Sequence, residues 1–151
     1  MRYLMLDRII AFEPGRRVVA VKNVAMSEEV FIDHFPAFPV LPGAFIVESF
    51  EQASRLALEA SHDFRVITAP VGATGVKYRK FVRPGDQLTI DVSIASDGGC
   101  AAETRCRATV SEREVARAHL QFAVHPAGAS EFPRRERALF ETLTMLGHRE
   151  A

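Results

Sequence analysis

Two side chains fourteen residues apart carry the chemistry this chain could do, His34 and Glu48. The first lies in Asp33-His34-Phe35-Pro36-Ala37-Phe38-Pro39-Val40-Leu41-Pro42-Gly43. Pro36, Pro39 and Pro42 exclude regular structure there, because each lacks a backbone N–H and pushes the residue before it away from the helical region. The second lies in the run that follows, which is helix-permissive and free of proline until Pro70. An imidazole titrates near neutrality and suits a general base. A carboxyl set among Phe45, Ile46, Val47 and Phe50 is disfavoured as a charge, which suits it to donate a proton. The start of a helix at Gly43 would add free N–H groups and a positive dipole end, the usual means of holding an oxyanion. Together these types describe a proton-transfer site. They fit an exposed loop histidine and a solvated helix glutamate equally well, and the local sequence leaves both open.

The elements that must position the pair follow from periodicity and turn residues. A helix is expected over 43–61, entered through Pro42, whose missing N–H would have been an orphan in a first turn. It is apolar nearly all round, as a buried helix is. Before it, 3–12 and 18–24 read as strands joined by the turn Glu13-Pro14-Gly15-Arg16, and Ser27-Glu28-Glu29 could cap a single helical turn. After it come four more expected strands, over 71–81, 88–95, 100–110 and 115–124. Asp97-Gly98-Gly99 and Ser111-Glu112-Arg113 mark hairpins. On the last strand Ala118, Leu120, Phe122 and Val124 share one face, so His119 on the other is a surface residue. A linker over 126–133 leads to an amphipathic helix over 134–146 with Leu139, Phe140, Leu143 and Leu146 on one side. The class is α+β, one antiparallel sheet around one long central helix. Such a sheet covers only one side of the helix, so a side-by-side dimer is expected.

At 151 residues this is most simply a single core domain over 1–126 with an appended linker and helix over 127–151. Net charge is zero, which gives no electrostatic case for nucleic acid or a membrane surface. No apolar run is long enough to span a bilayer and no secretory signal is visible, so a cytoplasmic location is expected. Cys100 and Cys106 fall on one face of an expected strand, too far apart along it to bond, and read as reduced thiols. No metal-ligand cluster and no Ser–His–Asp spacing is present, and Gly72-Ala73-Thr74-Gly75-Val76-Lys77 is too short for a phosphate-binding loop.

Several stretches resemble the hot-dog-fold 3-hydroxyacyl-[acyl-carrier-protein] dehydratases of the FabZ type. They are Tyr3-Leu4-Met5-Leu6-Asp7-Arg8-Ile9, Lys22-Asn23-Val24, His34-Phe35-Pro36 with Pro39 and Pro42-Gly43, Tyr78-Arg79-Lys80-Phe81 and Pro84-Gly85-Asp86-Gln87-Leu88. Glu48 stands at the family's distance from His34. The resemblance spans roughly 3–124. It implies a hot-dog fold, dehydration of a 3-hydroxyacyl thioester to the trans-2-enoyl thioester, no dissociable cofactor and no metal. It implies His34 and Glu48 as catalytic residues contributed by different subunits of a homodimer or an assembly of dimers, with the Gly43 N–H on the thioester oxygen. Glu in place of Asp argues against an added isomerase activity. Phe38, Phe45 and Gln52 are the expected substrate contacts. Lys77, Arg79, Lys80 and Arg83 form a basic strip for the acidic acyl carrier protein, whose phosphopantetheine arm bears the substrate. The chain departs from the family at Asp33, at Ala37-Phe38, where Gly-His is usual, at Phe81, where Pro is common, and in the helix past the usual end. These departures suggest a relative specialised for polyketide or aryl-polyene synthesis in place of general fatty-acid synthesis. A thioesterase on the same fold and a non-catalytic carrier-binding subunit are the competing readings.

Overall fold

A computed structural model of the chain describes residues 3–129 and 131–148. The elements are β1 (Arg8–Glu13), β2 (Arg17–Asn23), α1 (Val30–Asp33), α2 (Gly43–Ser61), β3 (Val66–Tyr78), β4 (Gln87–Asp97), β5 (Ala101–Val110), β6 (Arg113–Pro126) and α3 (Phe132–Gly147). The strands form one antiparallel sheet in the order β1-β2-β4-β5-β6-β3, with α2 against its inner face. That face is rich in small side chains, Ala20, Ala102, Ala108, Ala116 and Ala118, and α2 answers with Ala53 and Ala57, so helix and sheet approach closely. Phe50, fully buried, fills the space between them.

Several elements differ from the sequence expectation for identifiable reasons. The first strand begins at Arg8 and not at Tyr3, because the backbone ahead of it is bonded to α2: Met5 N donates to Gln52 Oε1 (2.8 Å) and Gln52 Nε2 donates to Tyr3 O (2.8 Å). β3 starts earlier than expected, running through Pro70 with a register shift between Pro70 and Gly72, which an edge strand tolerates. Glu28 caps no helix; its carboxylate accepts from Ala25 N (3.1 Å) and Lys22 Nζ (3.0 Å), and the short helical turn follows it. Cys100 lies exposed in the turn before β5, not on the strand face shared with the buried Cys106.

The terminal helix α3 lies on the body of the protein, against β1 and α2. Phe140 packs edge-on to Phe12 and Phe64 (ring centroids 5.0 and 5.8 Å apart), and Leu143 is buried, whereas Leu146 is 38% exposed. At its far end Gly147 is needed, since a Cβ there would run into the Ile9 carbonyl.

The joint between α2 and β3 is held by a buried carboxylate. Glu59 is 1% exposed and accepts from both the N–H and the hydroxyl of Thr68 (2.9 and 2.8 Å). Burial pushes the Glu59 carboxyl up despite those bonds. A folded-state pKa raised above the unfolded one contributes stability below the unfolded value and loses it as pH rises through the folded value. Glu59→Gln keeps an acceptor for Thr68 and carries no charge. The stability of the native chain relative to this variant should therefore fall as pH rises above ~4.5, measured by urea unfolding of both across pH; a difference constant with pH would contradict it. By the same measurement Phe50→Ala should cost about 3–5 kcal/mol.

Candidate active site

The His34 loop is shaped by its backbone before its side chains. His34 N closes α1 on Val30 O (3.0 Å). The next residue, Phe35, adopts φ 51°, a left-handed conformation that costs a non-glycine residue about 1–3 kcal/mol. Phe35 O then accepts from Phe38 N (2.8 Å), and Leu41 N donates to Val82 O (2.7 Å), which fastens the loop to the segment after β3. The reversal leaves the His34 ring half-buried, edge-on to the Phe35 ring (4.5 Å).

From there the chain enters α2. No side chain caps that helix, so the N–H groups of its first turn at Gly43 and Ala44 are directed back out of the helix end. Gly43 permits a close approach: a Cβ at this position would come within 2.5 Å of Tyr78 Cζ and displace that ring. The Tyr78 ring, at the end of β3, thus lies against the helix entrance. His34, Gly43 and Tyr78 line one cleft of about 230 Å3, with Val40, Leu41, Ile46 and Val82 as its apolar wall and Lys80 and Phe81 at its rim.

Glu48 does not line this cleft. It is half-buried one turn further along α2, where Gln52 Nε2 donates to its Oε1 at 2.7 Å. Burial, and then the neighbouring Glu48, push the Glu51 carboxyl up, while Arg55 acts against both. The other expected contacts are dispersed. Gln52 spends both amide hydrogens on Glu48 and Tyr3 O and its oxygen on Met5 N. Phe45 packs on the Tyr3 ring (5.5 Å). Phe38 lies outside the cleft, in an open groove of about 650 Å3 with Val24, Met26 and Pro39. The Arg83 guanidinium sits 4.3 Å above its ring, and Phe81 meets it edge-on at 5.8 Å, so the aromatic pair stands between cleft and groove.

Of the basic strip, Lys80 is at the cleft rim and Arg83 is stacked on Phe38. Arg79 is paired with Glu114 (2.7 Å), and Lys77 is exposed on β3. Sequence reasoning missed Tyr78 as the cover of Gly43 and Gln52 as the partner of Glu48. The second was legible, since residues four apart on a helix are neighbours; the first needed the fold. Among the described residues no three His, Cys, Asp or Glu side chains gather as a metal site, and no helix is long and apolar enough to cross a membrane.

Residues 1–119 match the model of the FabA-like domain, a match that ends within β6 and leaves α3 outside it. The chain is 38% identical over 123 residues to the 3-hydroxyacyl-[acyl-carrier-protein] dehydratase FabZ of Listeria welshimeri, covering 81% of this chain and 85% of that one. It is 38% identical over 125 residues to the same enzyme of Levilactobacillus brevis, covering 82% and 84%. Among solved structures, smu.793 from Streptococcus mutans bound to acetyl CoA superposes with a TM-score of 0.68 at 20% identity, over 83% of this chain and 94% of that one. A hot-dog-like protein from Thermanaerovibrio acidaminovorans does so with a TM-score of 0.65 at 20% identity, over 83% and 93%. At such identities these neighbours establish the fold, which is the hot-dog fold expected from the sequence. With the family model covering most of its length and FabZ enzymes related across four fifths of it, the chain belongs to the FabA-like family, beside the FabZ dehydratases.

Proposed function

We propose that the protein removes water from a 3-hydroxyacyl thioester carried on acyl carrier protein, giving the trans-2-enoyl thioester. The observation that carries this reading is that His34 and the uncapped first turn of α2 open into one apolar-walled cleft. The proton on C2 of such a thioester is weakly acidic. It leaves only if a base takes it and the growing charge on the carbonyl oxygen is stabilised. In this reading the oxygen rests on the Gly43 N–H, aided by the dipole of α2, and the His34 imidazole takes the C2 proton. The electron pair becomes the C2=C3 bond as the C3–O bond breaks. Hydroxide leaves poorly, so Glu48 delivers a proton to it and water departs.

Glu48 lies outside the cleft of its own chain, which requires a second copy to supply it. The free edge of β3 supports such a dimer. This strand is 13 residues long and exposes Val71, Val76 and Tyr78. A long, unpaired apolar edge is a template for strand pairing. Pairing there would set the α2 helices of two copies side by side and bring each Glu48 toward its partner's His34. The rim cation Lys80, with Lys77, Arg79 and Arg83, would meet the acidic carrier. The acyl group is that of fatty-acid synthesis or of a specialised polyketide or aryl-polyene chain, and a panel of 3-hydroxyacyl substrates distinguishes these.

Wild-type protein should form enoyl product, seen by mass spectrometry of the carrier. His34→Ala and Glu48→Ala should each lower the rate by about 100-fold or more without unfolding the protein. Full turnover in both variants would reject this site. Release of free carrier thiol in place of enoyl product would identify a thioesterase, and carrier binding without any conversion a non-catalytic subunit.

A further inference from the structure

The chemistry assigned to His34, Gly43 and Glu48 leaves the hydroxyl of Tyr78 unused, although Tyr78 lines the same cleft as His34 and Gly43. Its ring fills the space that glycine leaves at position 43. A Cβ there would stand 2.5 Å from Tyr78 Cζ, 2.7 Å from Cε1 and 2.9 Å from the hydroxyl oxygen. The tip of the ring, and not its base, is the part that meets the helix. This brings the hydroxyl to the first residue of α2, beside the uncapped N–H groups of Gly43 and Ala44. Among the described residues no protein group hydrogen-bonds to it. A tyrosine hydroxyl set against an apolar wall ordinarily has a partner. Here the wall is Val40, Leu41, Ile46 and Val82, and the open side is the cleft.

The ring is fixed at both ends. Tyr78 pairs with Ala116 at the end of β3, and the next residue, Arg79, donates from its N–H to Val115 O (2.7 Å). At the tip, Gly43 opens a helix packed on the sheet. A donor held on two regular elements is already in place when charge develops, so no reorganisation is spent on it.

We infer that Tyr78 is a further catalytic residue, whose hydroxyl donates to the thioester oxygen alongside the Gly43 N–H. The inference rests on the dehydratase reading and deepens it by completing the oxyanion site. As C2 gives its proton to His34, negative charge grows on the carbonyl oxygen. That oxygen has two lone pairs, and one N–H satisfies only one of them. The phenol supplies the second donor. It transfers no proton in this role: its O–H bond stays intact, and the charge returns from oxygen as the C2=C3 bond forms and water leaves.

Tyr78→Phe in the full-length protein tests this by removing one oxygen atom. The ring still covers Gly43, so thermal unfolding should match wild type. With a 3-hydroxyacyl group on acyl carrier protein, kcat for enoyl formation should fall about tenfold or more with KM little changed, because the bond strengthens as charge reaches the oxygen. A carrier-borne thioether analogue, which has no carbonyl oxygen, should bind wild type and Tyr78→Phe alike. A difference there would put the hydroxyl on another part of the substrate and overturn the role. Equal kcat in the two proteins, or a rise in KM alone, would overturn the assignment and leave the dehydratase reading standing. No enoyl formation by wild-type protein would overturn that reading, and the assignment with it.

Discussion

The entrance of α2 is the point on which the structure turns. A helix buried against a sheet cannot cap its first N–H groups with water on all sides, and this one has no capping side chain. Its orphan donors are instead presented to a cleft, where the Tyr78 ring occupies the space that a side chain at position 43 would take. Pro42 sets the entry and Gly43 permits the contact. The loop ahead is fastened by the Leu41 bond to Val82 O, and so His34 is brought beside the same donors. The left-handed Phe35 is the cost of that reversal, and the burial of Phe31, Val40 and Leu41 on either side sustains it.

The long helix behind this entrance is held by three different means. Small residues on both surfaces let it lie deep in the sheet, with Phe50 filling the remaining gap. At its far end the buried Glu59 gathers the start of β3. On the side that the sheet leaves open, α3 lays Phe140 and Leu143 against the body. Two consecutive left-handed residues, Asp63 and Phe64, turn the chain out of α2. Arg137 of α3 holds both, donating to Asp63 O and Oδ1 and stacking over the Phe64 ring at 5.0 Å. The segment outside the family match thus braces the helix that carries the site's residues.

Local sequence made α2 legible: Pro42 and Gly43 specify where it begins, and the apolar, proline-free run carries it to Ser61. The alternating strands β4 to β6 were legible for the same reason, a period of two with hairpin turns between them. Errors arose where backbone bonds went to unexpected partners. Tyr3 to Met5 looked like strand, but Gln52, 47 and 49 residues away in sequence, takes its polar groups. Pro70 looked like a break and is accommodated by an edge bulge. Within the site, His34 and Glu48 stood out by type and spacing, but Phe38, Phe45 and Gln52 were assigned to substrate from their positions near them. Their actual partners, Arg83, Tyr3 and Glu48, depend on tertiary approach that no periodicity encodes.

The arrangement within one chain sets His34 and Glu48 in different surroundings, so the account stands on a site completed across a two-fold axis. Mixing subunits tests this most directly: His34→Ala and Glu48→Ala proteins are unfolded together, refolded and assayed for enoyl formation. If the pair comes from two subunits, mixed dimers hold one site with both native groups, and about a quarter of wild-type activity should return. If no activity returns although mixed dimers are present, each site draws both groups from one chain and the account is wrong.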